Sequence, residues 1–177
     1  MSATGQPDAS EYAPEFERYV ALVRGGEILE VLERQAGRFR VALGRLSDSE
    51  AGFRYAEGKW SVREVLGHVV DAERVFGYRA LCFARGEEKP LPGFDEEAYA
   101  RNAAHDLVPL PELLDEFESV RRGHLLFLRH LDAAAWRRDG VANSKRATVR
   151  ALAFVIAGHA DHHLGILRDR YRVPAAG

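Results

Sequence analysis

The chain has 177 residues, enough for one domain with a buried core and short for two. Hydrophobic residues make up 46% and charged residues 29%. The 25 basic and 27 acidic residues give a net charge of −2, without the basic surplus usual in a nucleic-acid binder. A single cysteine, Cys82, excludes an internal disulfide framework and a cysteine-rich zinc site, and no apolar run approaches the roughly 20 residues that span a bilayer.

Residues 1–13 read as a loose tail. Met1 to Ser10 lack the basic and apolar regions of a signal peptide, so the cytoplasm is the expected location. A short helical piece is predicted after Pro14, broken at Gly25-Gly26. From Ile28 the apolar residues Ile28, Leu32, Phe39, Leu43 and Leu46 recur at helical spacing, with Gln35 in the same row, and Ser47-Asp48-Ser49 ends this first long helix.

The second helix has the clearest start. Ser61 and Glu64 form a capping-box pattern, in which each side chain satisfies a free backbone N–H, with Trp60 before the cap and Val65 where a hydrophobic staple would meet it. Its stripe runs through Val65, Val69, Ala72, Phe76 and Phe83, and Gly86 closes it. Residues 87–110, with Pro90, Pro92, Gly93 and Pro109, form a long connection of the kind that is often functional. Pro111 suits the first turn of a third helix, whose stripe is Leu114, Phe117, Arg121, His124, Leu128 and Leu131. After a loop around Asp139-Gly140, Thr148 caps a fourth helix with Val149, Leu152, Ile156, His159, His163, Ile166 and Arg170 on one face.

Four long amphipathic helices without strand alternation predict an all-α four-helix bundle. The third connection is short enough for antiparallel neighbours. The 87–110 stretch is long enough to cross over the bundle, so a simple up-down-up-down order is not expected. The chain thus divides into residues 1–26, a tail with a short helix, and residues 27–173, a single bundle domain.

The fourth helix carries the chemistry. His159 and His163 are four residues apart, which places them about 6 Å apart along the axis on the same face. Their stripe is apolar, so both rings face the core, where an unpartnered polar group costs about 1–3 kcal/mol. His68, on the inner side of the second helix, reaches the same point if helices two and four pack side by side. Three neutral imidazoles leave a divalent ion its full charge and open positions, the pattern of a catalytic site. The competing reading is three hydrogen-bonded core histidines.

His124 reads as core or pocket lining and His162 as an edge residue, while His105 and His130 carry no signal. Asp71 either orients the His68 ring or pairs at the surface with Arg74 or Arg63. Arg121 and Arg170 either bind an anionic substrate group or snorkel at a bundle end. Arg137-Arg138 and Lys145-Arg146 read as solvated loops. A zinc-peptidase helix needs Glu after its first histidine, where this chain has Ala160. The paired Glu-x-x-His motifs of di-iron bundles are absent from the helices.

The stretch Gly58-Lys-Trp-Ser-Val-Arg-Glu-Val-Leu-Gly-His68-Val-Val-Asp-Ala-Glu-Arg-Val-Phe76, with Tyr78-Arg79, Ala84-Arg85-Gly86, Leu91-Pro-Gly-Phe-Asp95 and His159-Ala-Asp-His-His163-Leu-Gly-Ile-Leu-Arg-Asp-Arg-Tyr171, resembles the DinB/YfiT-like superfamily over roughly Ile28 to Arg172. The resemblance implies a four-helix bundle with a long crossover connection after helix two. It implies a divalent metal ion, zinc or nickel, held by His68, His159 and His163, with His162 beside them but not a ligand. It also implies a homodimer and a small-molecule substrate, with a low-molecular-weight thiol as co-substrate in those relatives that are S-transferases. Others are described as metal-dependent hydrolases. The expected functions are therefore a metal-dependent thiol S-transferase or hydrolase, with 87–110 as a lid, or a non-catalytic metal-binding stress-response protein. Neither nucleic acid nor membrane is an expected partner, and Cys82 reads as packing rather than a nucleophile.

Overall fold

The computed structural model describes residues 3–23 and 25–173. Four long helices dominate: α2 (Ile28–Leu43), α4 (Val62–Ala84), α6 (Leu110–Arg129) and α8 (Val149–Tyr171), with the short helix α1 (Glu17–Val20) before them and α3 (Asp48–Ala51), α5 (Glu96–Ala103) and α7 (Ala133–Arg137) between them. Strands β1 (Asp139–Ala142) and β2 (Lys145–Thr148) pair antiparallel.

The start of α4 follows its sequence. Ser61 accepts a hydrogen bond from the Glu64 N–H, and Glu64 accepts one from the Ser61 N–H at 2.8 Å. Ser61 also donates to Asp106, so the cap is tied to the crossover. Gly86, at φ +80°, sits just beyond the helix in the left-handed conformation that glycine adopts at no steric cost. Thr148 caps α8 by accepting from the Ala151 N–H.

Helix directions follow from which side chains meet. Along α4, Gly67 meets His105 just ahead of α6 and Gly77 meets His124 well inside it, so these neighbours run parallel. Parallel neighbours cannot be joined by a tight turn, and residues 85–109 are the return path. This is the crossover expected after the second long helix. Against α4, α8 runs antiparallel, with Trp60 meeting Tyr171 and His68 meeting His159. Gln35 reaches the Ala157 carbonyl and Arg38 reaches Asp161, so α2 and α8 are parallel. Each long helix therefore has one parallel and one antiparallel neighbour. Helices α6 and α8 are antiparallel as expected, but they lie diagonally rather than side by side.

Three expectations need correction. Residues 3–13 are not a loose tail. Glu11 pairs with Arg150 and accepts from Thr148, the Ala13 N–H donates to the Arg146 carbonyl, and α1 packs on α8. Met1 and Ser2 lie outside the described residues. The Asp139-Gly140 loop is half of a hairpin whose two-residue turn, Asn143-Ser144, has φ of 52° and 59°, the mirror-image turn that matches strand twist. Ser47 does more than end α2: it caps α3, accepting from the Glu50 N–H.

The seat of α1 depends on one glycine. A Cβ at Gly158 would stand 2.0 Å from the Tyr19 carbonyl oxygen, a backbone atom. Gly158→Ala is therefore expected to push α1 off α8 and cost about 1–3 kcal/mol, the usual range for overpacking. Urea unfolding checks this, and a change below about 0.5 kcal/mol, the surface-substitution range, would show that α1 is not closely seated.

Candidate metal centre

His68 comes from the middle of α4, and His159 and His163 come from successive turns of α8. Because α4 and α8 are antiparallel neighbours, the three rings converge. One ring nitrogen of each lies within 4.8 Å of the others, and the Nε2 atoms of His68 and His159 are 3.2 Å apart. Ring centroids are 4.5–5.0 Å apart: 5.0 Å for His68–His159, 4.7 Å for His68–His163 and 4.5 Å for His159–His163. Trp60 covers the His68 ring at 4.9 Å, and Tyr19 and Phe76 present their edges to His159 at 5.4 and 5.8 Å.

Burial holds these imidazoles neutral. His68 and His159 are buried and His163 is partly so. Burial is the largest cause lowering all three. It brings His68 to about 4 and His163 to about 3, assisted by the neighbouring histidines and, at His163, by Arg18. His159 is pushed well below 6.5 by burial and then by His163 and His68. Neutral rings keep a lone pair for a ligand or a cation.

A metal ion fits this donor set. The His163 Nδ1 is buried without a hydrogen-bond partner among the described residues. The 3.2 Å between the His68 and His159 nitrogens matches the roughly 3.3 Å that separates two ligand atoms about 2.0–2.1 Å from a tetrahedral ion. Without an ion, one Nε2 carries its ring's proton and donates to the other; a cation at that point would replace this hydrogen bond with two bonds. Three histidines would leave at least one position of a tetrahedral ion unfilled by protein, and all three rings line a pocket of about 360 Å³.

The pocket wall comes from widely separated parts of the chain, though not from α2 or α6. Phe16, Arg18 and Tyr19 enter from the N-terminal segment, Ala72, Phe76 and Arg79 from α4, and Phe94, Glu96 and Glu97 from the crossover. The hairpin contributes Asn143 from its turn and Lys145 from the start of β2. Crossover and hairpin are held together: the Leu91 N–H donates to Val141, and the Asn143 N–H donates to Leu91. Glu96, Glu97 and Arg79 were not among the residues read from the sequence as functional. The acidic first turn behind the Asp95 cap was the available signal for α5.

Other expectations resolve as follows. Asp71 does not touch His68; it lies 4.0 Å from His105 Nε2 and 3.9 Å from Arg74, the surface alternative with an added histidine. His105 packs against Gly67, where a Cβ would meet its ring at 2.2 Å. His124, partly buried, faces Glu73 at 3.4 Å, and His162 lines the pocket edge-on to His163. Arg121 neither snorkels nor reaches a pocket: it is fully buried and forks onto Glu73. Arg170 is exposed at the end of α8. Lys145 and Arg146 belong to β2 rather than a loop, and Arg138 donates to the Ala84 carbonyl. Cys82 does not line the pocket.

Residues 31–167 match the DinB superfamily, and the chain belongs to it. A protein of Oceanobacillus iheyensis, named as a candidate metal-dependent hydrolase, is 26% identical over 148 residues, covering 80% of this chain and 82% of that one. The solved structure of YfiT from Bacillus subtilis, described as a candidate metal-dependent hydrolase with an unusual four-helix bundle topology, has the same fold. Its TM-score is 0.74 at 21% identity, covering 82% of this chain and 84% of that one. No helix among the described residues is long and apolar enough to cross a membrane.

Proposed function

We propose that this chain is a divalent-metal-dependent enzyme acting on a small molecule bound in the pocket beside His68, His159 and His163. The observation that carries the reading is the convergence of three neutral, largely buried imidazoles on one point open to that pocket. The names of its relatives point to hydrolysis. Zinc and nickel both suit an all-imidazole donor set.

A divalent ion held there supplies Lewis acidity and lowers the pKa of a bound water or thiol. The protein does the rest. The histidines stay neutral and bring no negative charge, so the ion keeps its full polarising power. Trp60, Phe76 and Tyr19 exclude water from one side of the rings. Glu96 lines the pocket, and its charge reaches His68, so it is the carboxylate placed to take up a proton.

Thiol S-transfer is the second reading, favoured by the undiminished cation charge, which stabilises a thiolate as well as it does hydroxide. A panel of esters and amides, and a panel of low-molecular-weight thiols with monochlorobimane, decides between the two. Turnover that a chelator abolishes and added metal restores is the expected result. Metal-dependent stability without turnover in either panel would contradict the enzyme reading and leave a metal-binding protein in its place.

A further inference from the structure

Four arginines of the described chain are buried: Arg63, Arg79, Arg121 and Arg150. Three of them meet a carboxylate, Arg63 on Asp48, Arg121 on Glu73 and Arg150 on Glu11. Arg79 does not. Its guanidinium makes one hydrogen bond among the described residues, from Nη2 to the Pro92 carbonyl at 3.1 Å, which uses one of five N–H groups. Burial lowers its pKa. A buried cation without a counter-ion is costly unless something supplies one.

The position of Arg79 says where that counter-ion would come from. Arg79 lines the same pocket as the three histidines. Its guanidinium carbon lies 5.6 Å from the centre of the Phe76 ring and 6.0 Å from that of Phe94. Phe76 in turn lies 5.8 Å from the His159 ring, so one aromatic ring separates the guanidinium from the histidine cluster. Arg18 and Lys145 add positive charge to the wall, Lys145 at 3.7 Å from Glu15. Glu96 and Glu97 are the carboxylates lining it, and neither pairs with Arg79 among the described residues.

We infer that the pocket takes a small organic acid with a flat apolar body, its carboxylate or phosphate held by Arg79, its body lying along Phe76 and Phe94, and its reacting bond directed at the histidines. The planar fork of an arginine suits a bidentate acid group. This deepens the reading of the pocket as the site of a metal-dependent enzyme and rests on it.

The test uses phenylacetate and its neutral isostere phenylacetamide, titrated into the full chain by NMR with and without added zinc. In the wild type, phenylacetate should bind about tenfold or more tightly than phenylacetamide, as expected for a charge-assisted pair, in both metal states. Arg79→Gln should bring the two affinities together while leaving that for phenylacetamide unchanged. Arg79→Lys should keep part of the preference. A preference seen only with zinc and insensitive to Arg79→Gln would overturn the assignment, because the acid would then sit on the metal. Absence of any preference would overturn it too. So would loss of phenylacetamide binding in Arg79→Gln, since Arg79 would then serve only to hold the crossover. Zinc content of the same samples reports on the metal independently: a preference that survives in a chain unable to bind zinc would sustain the anion subsite while removing the proposed function.

Discussion

His159→Ala is expected to bring bound divalent metal from one equivalent per chain to near zero. His159 is the most enclosed of the three rings, between His68, His163, Tyr19 and Phe76. Loss of a hydrogen-bond partner behind a ligand commonly costs 10–100-fold in metal affinity, so loss of the ligand itself should cost more than about 100-fold. Binding to the folded chain adds stability by mass action. At about 100 times the dissociation constant the gain is about 2.7 kcal/mol, or roughly 5–10 °C in melting temperature for a chain of this size. Wild type should show that rise on adding zinc or nickel, and His159→Ala should not. His162→Ala should behave as wild type, because His162 lies beside the cluster rather than in it. A full equivalent of metal in purified His159→Ala would contradict the ligand set.

The second large effect lies deeper in the bundle. Arg121→Met is expected to destabilise the fold by about 3–5 kcal/mol, the cost of stranding a buried charge. Arg121 lies on Glu73, with a second bond of 2.6 Å, and also donates to the Leu32 carbonyl and to Gln35, both at 2.9 Å. Gln35 then donates to the Ala157 carbonyl at 2.8 Å, so one guanidinium links α2, α4, α6 and α8. Replacing both charges, Arg121→Met with Glu73→Leu, should recover most of the loss. Burial alone would raise the Glu73 pKa, but the charge and hydrogen bonds of Arg121 outweigh it and leave the carboxyl below 4.5. A carboxyl lowered on folding stabilises above its unfolded pKa, and that stability is lost as pH falls through the folded value. The deficit of Arg121→Met should therefore shrink in acid. Denaturant unfolding at neutral and acid pH measures both, and a deficit under 1 kcal/mol at neutral pH would show that the network carries little.

What the sequence makes legible here is local. The Ser61–Glu64 capping box, the Thr148 cap, the glycine beyond α4 and the stripes of α2, α4, α6 and α8 all act within a few residues. The His159–His163 pair is legible for the same reason, since one helical turn fixes it. His68 is less so: it becomes part of the cluster only because α4 and α8 are antiparallel neighbours. The hairpin escapes because its four-residue strands are too short to show alternation and its turn depends on positive φ at Asn143 and Ser144, not at glycine. The docking of residues 3–13 rests on Glu11 meeting Arg150, a contact between distant parts of the chain that no periodicity announces. Arg79 and Arg121 look alike in sequence, each a charge in an apolar stripe. Only the packed structure shows that one has its carboxylate and the other does not.

The most direct test of the three-histidine centre is metal-edge X-ray absorption on the protein purified with its metal. The account predicts an inner coordination sphere with three imidazole nitrogens at about 2.0–2.1 Å and the outer-ring scattering of histidine. His68→Ala, His159→Ala and His163→Ala should each remove the metal. A sphere of oxygen donors alone, or one containing sulfur from Cys82, would contradict it.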